Sequence, residues 1–333
     1  MLNSFAMSDA LLTRPPLGRR FTLELRPTRP LTWVGPLSAA AIGLLGSGTL
    51  DYSALSFLRA ALALLLLDPI LSAWRALWVQ TDWRAPLQIS EVRAGASAMP
   101  LPYAQSNSPI AGLTQWWNER IAFFTQALWH TLGATLTSLL VLALIAIAVS
   151  MVLGPVIVAL TLLTLFLAPL ETELGPRRGA WARAFAELGI AWVVGFAALA
   201  LPDARSVAQF TTGLTEAWSA PDMLTTLANL FAHPVVRVVL LALLFSFAYR
   251  GLLAVHTQAR HRFVWSNLAQ IGAAVVMVAA MRPAAAGIIA LVVIAQILWQ
   301  AFARANDRGV SDYLPRVQWF FLLAMLAAST FPF

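Results

Sequence analysis

The sequence predicts an all-α, polytopic membrane protein with about nine transmembrane helices in one bundle, N-terminus inside and C-terminus outside. Three observations predict it. The 333 residues are 59% hydrophobic and only 11% charged, whereas a soluble domain carries about 25% charged residues with which to coat itself. Apolar runs of roughly 20 residues, long enough to cross a hydrocarbon layer of ~30 Å, recur from Leu31 to the C-terminus. In lipid every backbone amide must find its partner within the protein, so these runs are expected to be helices. The arginines, finally, fall overwhelmingly in alternate connections.

Residues 1–30 are polar, carry Arg14, Arg19, Arg20, Arg26 and Arg29, and show no cleavable signal pattern, so they read as a cytoplasmic tail. The bundle then occupies 31–333. Its helices are expected near 31–50, 54–78, 131–151, 153–170, 184–201, 234–250, 263–281, 284–302 and 317–333. Arg75, Arg84, Arg93 and Arg120 lie at or after the second run. Arg177, Arg178 and Arg183 follow the fourth, Arg250, Arg260 and Arg262 the sixth, and Arg304, Arg308 and Arg316 the eighth. Only Arg59, Arg205, Arg237 and Arg282 of the 22 basic residues fall on the other side. Two connections form cytoplasmic caps, at about 79–130 and 250–262. The first becomes amphipathic over 115–130, with Trp116, Trp117, Phe123, Phe124 and Trp129, as an interfacial segment does. An outer connection at about 202–233 has room for interfacial helices at 208–217 and 224–231. Gly43, Gly46, Ser47 and Gly48 offer a small-residue surface for close helix packing.

Composition excludes several functions. With no cysteine there is no disulfide, iron–sulfur cluster or thiolate zinc site. The net charge of +7 is arginine throughout, since lysine is absent, and is explained by the positive-inside rule and anionic lipid, so nucleic acid is not an expected partner. Most of the 13 tryptophans fall near expected membrane edges, where an aromatic belt belongs. No Walker loop, dinucleotide fingerprint, zinc-protease motif or catalytic triad is present. The expected location is a plasma membrane of bacterial type.

The layout resembles the UbiA-type intramembrane prenyltransferases. Arg26-Pro27-Thr28-Arg29-Pro30-Leu31-Thr32-Trp33 is similar to that family's opening. Pro100-Leu101-Pro102 followed by Ser108-Pro109-Ile110-Ala111 is similar to a second segment. Phe166-Leu167-Ala168-Pro169-Leu170 with Gly175, Arg177, Arg178 and Gly179, then Ala186-Glu187-Leu188-Gly189, is similar to a third. The resemblance implies nine helices, cytoplasmic caps after helices 2 and 6, and an intramembrane chamber for an isoprenoid. It also implies Asp-rich motifs whose carboxylates hold Mg²⁺, which in turn holds and neutralises the leaving diphosphate.

Those motifs are where this chain departs. The first would align with Leu67-Asp68-Pro69-Ile70-Leu71-Ser72-Ala73-Trp74-Arg75, where Asp68 survives but Leu71 and Arg75 replace the next two aspartates. The second has no counterpart, because no Asp or Glu occurs between Asp222 and Asp307. No metal site is therefore expected, no cofactor either, and Mg²⁺ enters only if the chain is an active transferase. Asp68 is the one candidate catalytic residue and, with Arg75, Arg250, His256, Arg260 and Arg262, a candidate ligand-binding residue. An ionised Asp68 deep in a helix costs roughly 2.5–3.5 kcal/mol and needs a reason: a relic of a metal site, an anchor for a polar headgroup, or an ion pair with Arg75 or another arginine. The Arg250–Arg262 cluster could bind phosphate through guanidinium forks or simply meet anionic lipid. His130 could ligate a pigment's magnesium or sit in the interface, and Glu187 is placed to pair with Arg183 at i−4.

Three functions follow as expectations. The first is a catalytically degenerate UbiA-like protein, a pseudoenzyme that binds membrane lipid and an isoprenoid, quinone or pigment, or joins membrane-protein partners as a complex subunit. The second is an active prenyltransferase moving a polyprenyl group onto an aromatic or tetrapyrrole acceptor. The third is an unrelated transporter, which would more often show internal repeats and broken helices.

Overall fold

A computed structural model describes residues 33–49, 51, 53–83, 129–219, 222–256, 263–305 and 310–330. The tail at 1–30, the cap from 84 to 128 and residues Arg260 and Arg262 lie outside the described residues. Every regular element among the described residues is helical. We label them α1 (Pro36–Gly46), α2 (Ala54–Gln80), α4 (Pro155–Gly175) and α5 (Arg178–Ala200), with α3 (His130–Leu153) between α2 and α4. Then follow α6 (Ala204–Trp218), α7 (Met223–Ala232), α8 (Pro234–His256), α9 (Phe263–Ala279), α10 (Pro283–Ala305) and α11 (Val310–Thr330). Six of these, α2, α3, α4, α5, α8 and α10, are long and apolar enough to cross a membrane. Shorter apolar helices occupy three further expected positions, Pro36–Gly46, Phe263–Ala279 and Arg316–Thr330.

The chain divides into two units, Met1–Glu24 with Gln80–Val141 and Leu25–Val79 with Leu142–Phe333. In the first, the described part is residues 80–83 and 129–141. Its helix satisfies its own hydroxyls, Thr137 Oγ1 donating to the Gly133 carbonyl at 2.8 Å and Ser138 Oγ to that of Ala134 at 2.9 Å. That is what a polar group facing lipid has to do.

The second unit is organised around α5. The most apolar stretch of α5 is 83% buried, against 28% for α2 and for α4. Its second half lies along α1, its first half along α8, and α8, α9, α10 and α11 follow one another back to α1. The centre of this ring is filled by Trp192 of α5, Phe245 and Tyr249 of α8 and Phe321 of α11, all fully buried. Trp192 and Phe245 lie 5.3 Å apart, and Phe245 meets Phe321 edge-on at 5.5 Å, both favourable quadrupole geometries.

Small residues set the closest approach. A Cβ on Gly43 of α1 would overlap the Trp192 carbonyl oxygen, and one on Gly195 of α5 would overlap that of Ala40. The two backbones touch because neither glycine has a side chain, which is how helices associate where no hydrophobic driving force operates. α9 and α10 are joined differently, by a buried amide ladder. Gln270 Nε2 donates to Gln296 Oε1 (3.2 Å), Gln296 Nε2 and Gln300 Nε2 both donate to Asn267 Oδ1 (2.8 and 3.1 Å), and Asn267 Nδ2 donates to Gln300 Oε1 (2.9 Å).

Between α5 and α8 the chain forms two amphipathic helices, as expected for 208–217 and 224–231. Each has an aspartate at its N-cap: Asp203 accepts from the Ser206 N–H and Asp222 from that of Thr225, both at 2.8 Å.

The α1–α5 contact gives a test. Gly43→Ala and Gly195→Ala are each expected to destabilise the purified protein by about 1–3 kcal/mol, as overpacking does. Gly287→Ala, where a Cβ meets nothing within 4 Å, is expected to be neutral or to stabilise by up to ~1 kcal/mol. Thermal unfolding in detergent reads the order, and equal behaviour of all three would contradict the contact.

Candidate functional site

Two prolines prepare the site. Pro69 has no N–H to give and its ring crowds the carbonyl four residues back. The helix answers by widening into a π-helical turn over Leu66–Leu71, with Asp68 in it. Pro169 does the same service in α4 without a π turn: it leaves the Leu165 carbonyl unbonded, and Trp74 of α2 donates its indole N–H there at 3.2 Å. One helical turn on, Trp78 Nε1 donates to Thr172 Oγ1 at 3.2 Å. The two indoles stack with centroids 5.8 Å apart. α2 and α4 are thus held in register, and Arg75 points between them and α5.

A second π turn, Phe185–Ile190, carries Glu187. Gly189 within it lets α8 approach, since a Cβ there would stand 2.5 Å from Ser246 Oγ. α4 turns into α5 through Gly175, whose φ of 70° is the left-handed conformation glycine adopts without steric cost. The connection is far shorter than the 171–183 interval expected. Hydropathy drops there because Glu171, Arg183 and Glu187 are polar, yet these side chains are turned inward onto one another.

The resulting cluster joins four helices. Arg75 grips Glu171 with both arms of its guanidinium, Nε to Oε2 at 2.6 Å and Nη2 to Oε1 at 2.9 Å. Its Nη1 donates to Glu187 Oε1. Glu187 Oε2 accepts from Tyr249 Oη of α8 at 2.8 Å and from Arg183 Nε at 3.3 Å. Glu187 is 4% exposed. Two arginines and two glutamates cancel in charge, and each carboxylate oxygen named here accepts at least one donated hydrogen bond. Such bidentate, charge-assisted bonds are the strong kind, and they strengthen further away from water.

The residues singled out from sequence are placed as follows. Arg75 belongs to the cluster, tied to Glu171 and Glu187. Asp68 lies half-buried in the π turn before it. Arg250 follows Tyr249 and sets its guanidinium 4.0 Å from the centre of the Trp181 ring, a cation–π contact. Trp181 in turn packs on Phe247 at 4.9 Å, and Phe247 on Trp265 at 5.9 Å. His256 ends α8, but its side chain, like Arg260 and Arg262, lies outside what is described. The Arg183–Glu187 pair is present as expected. Glu171 and Tyr249 were not picked out. The signal for Glu171 was available, since an acid in an apolar run needs a cation at the same depth.

This donor set does not suit a Mg²⁺–diphosphate site. Where the resembling motif would place its third carboxylate stands Arg75, and the nearby glutamates are spent on it. Among the described residues no three His, Cys, Asp or Glu side chains gather as metal ligands would. No protein-family model, curated protein or solved structure matches this chain.

The cluster predicts a strong asymmetry between single and joint substitution. Arg75→Met alone leaves Glu171 without its cation and Glu187 with Arg183 alone, and is expected to cost about 3–5 kcal/mol. Arg75→Met with Glu171→Gln and Glu187→Gln removes all three charges and is expected to recover most of that loss. Chemical or thermal unfolding of the purified variants measures both. A triple variant no better than the single one would show that the charges are not coupled.

Proposed function

We propose that this chain is a catalytically degenerate, UbiA-like integral membrane protein that acts as a subunit of a membrane complex. It would have nine spans, N-terminus inside and C-terminus outside, in a plasma membrane of bacterial type. The observation that supports the proposal is the set of fully buried aromatics, Trp192, Phe245, Tyr249 and Phe321, packed where α5, α8 and α11 meet. The arginine cluster supports it from the chemical side. An arginine bound to two glutamates stabilises a helix bundle, and its charge is already answered within the protein. A packed interior and a neutralised mouth favour assembly over both lipid storage in the chamber and prenyl transfer.

Two measurements test this. Purified protein incubated with Mg²⁺, labelled prenyl diphosphates and aromatic acceptors is expected to give no product. Metal-dependent product lost in Asp68→Asn would establish the active transferase instead. Extracted in mild detergent, the chain is expected to migrate with a stoichiometric membrane partner, and recovery solely as a 36.1 kDa monomer would refute the subunit role. The topology is checked separately by single cysteines at Ser97 and Thr257, both of which should label from the cytoplasmic side.

A further inference from the structure

α6 and α7 turn back into the bundle through one residue, His233. α6 packs along α7, and α7 lies against α8 and α9. His233 stands between α7 and α8 in an extended conformation, with φ −65° and ψ 124°. Its N–H closes α7 by donating to the Asn229 carbonyl at 3.0 Å, and its carbonyl opens α8 by accepting from the Arg237 N–H at 3.0 Å.

The side chain reaches across to α6. Its ring meets Phe210 edge-on at 5.7 Å, and Phe210, with Val207, is where α6 packs on the apolar core. Nε2 faces Gly213, 3.4 Å from where a Cβ would stand, and the ring donates a hydrogen bond to the Phe210 carbonyl. An aromatic contact and a hydrogen bond from one imidazole thus clasp a single turn of α6.

The other ring nitrogen has a different setting. Nδ1 is buried and has no hydrogen-bond partner among the described residues. With the hydrogen on Nε2, Nδ1 of the neutral ring is an acceptor. A proton arriving there would place a charge and a buried donor where nothing accepts it. The charged groups around the ring are Arg237 on α8, Arg282 at the α9–α10 turn, Asp222 at the start of α7, and Asp203, Arg205 and Glu216 on or beside α6, while α9 carries none. Of these it is Arg237 whose charge bears on the imidazole, and it opposes protonation. Burial opposes protonation more strongly, the Phe210 carbonyl favours it, and the balance holds the ring below its ordinary pKa.

We propose that His233 is a pH-sensitive latch: the neutral imidazole holds α6 onto the bundle, and protonation at Nδ1 releases α6 while the helices beneath it stay folded. Docked, the ring resists a proton; released into water, it titrates near its ordinary value of about 6.5. Docking is therefore at full strength above that value and weakens as pH falls through it, by up to about tenfold at pH 5.5. The α6 cap does not titrate over this range, because hydrogen bonds from the Ser206 N–H and hydroxyl hold the Asp203 carboxyl below its ordinary pKa.

The test is hydrogen–deuterium exchange of the full chain in neutral detergent, read as protection factors at about pH 7.5 and about pH 5.5. Amides of α6 are expected to lose up to about tenfold in protection at the lower pH, while those of α5 and α8 keep theirs. In His233→Gln the amide can still donate to the Phe210 carbonyl but takes no proton, so α6 protection should be the same at both pH values. If that variant does not fold, His233→Asn makes the same comparison with a shorter side chain. Unchanged α6 protection in the native chain, a pH response retained in His233→Gln, or an equal loss of protection across α5, α6 and α8 would overturn the proposal.

Discussion

An arginine inside an apolar bundle must have its charge answered within reach of its own side chain, and Arg75 imposes that condition on the larger unit. It lies in the last third of α2 with its side chain 20% exposed, so protein groups have to answer most of its charge. Glu171 and Glu187 meet the requirement only if α2, α4 and α5 stand at one depth and in one rotation. The π turn at Leu66–Leu71 adds a residue upstream of Arg75, which shifts the phase of everything after it by about 100°. The π turn at Phe185–Ile190 widens the helix around Glu187 itself. Tyr249 then brings α8 to the same carboxylate, so the ring's aromatic filling inherits its depth from the ion cluster.

Local features were legible in the sequence and long-range pairings were not. Apolar run length located each apolar helix to within a few residues, because lipid thickness and backbone hydrogen bonding leave little freedom. The Arg183–Glu187 pair could be read because i and i+4 are neighbours on any helix. Arg75 was assigned Asp68 as one possible partner through proximity along the chain, whereas its counterions stand 96 and 112 positions away. The α4–α5 turn was drawn too wide for a related reason. Hydropathy scores Glu171, Arg183 and Glu187 as three polar residues, and cannot see that their polarity is internally consumed. Asn267, Gln270, Gln296 and Gln300 escaped for the same reason: each is a lone amide in an apolar run until α9 and α10 face each other.

The third position of the resembling Asp-rich segment shows how one residue redirects a site's chemistry. A carboxylate there would add a hard oxygen ligand for a divalent cation. Arg75 instead adds a cation of its own, and its neighbouring acids become counterions instead of metal ligands. The bonds that answer Arg75 tie α2, α4 and α5 together.

The four arginines outside the positive-inside pattern complete the electrostatic account. Arg205 is exposed and Arg59 half-buried near the start of α2, where long side chains reach the interface and keep their heads in water. That explanation fails for Arg237, whose side chain is shut in by its own bundle, and Arg282 raises the difficulty instead of relieving it. At the Arg75 end the protein supplies its own anions, two for two.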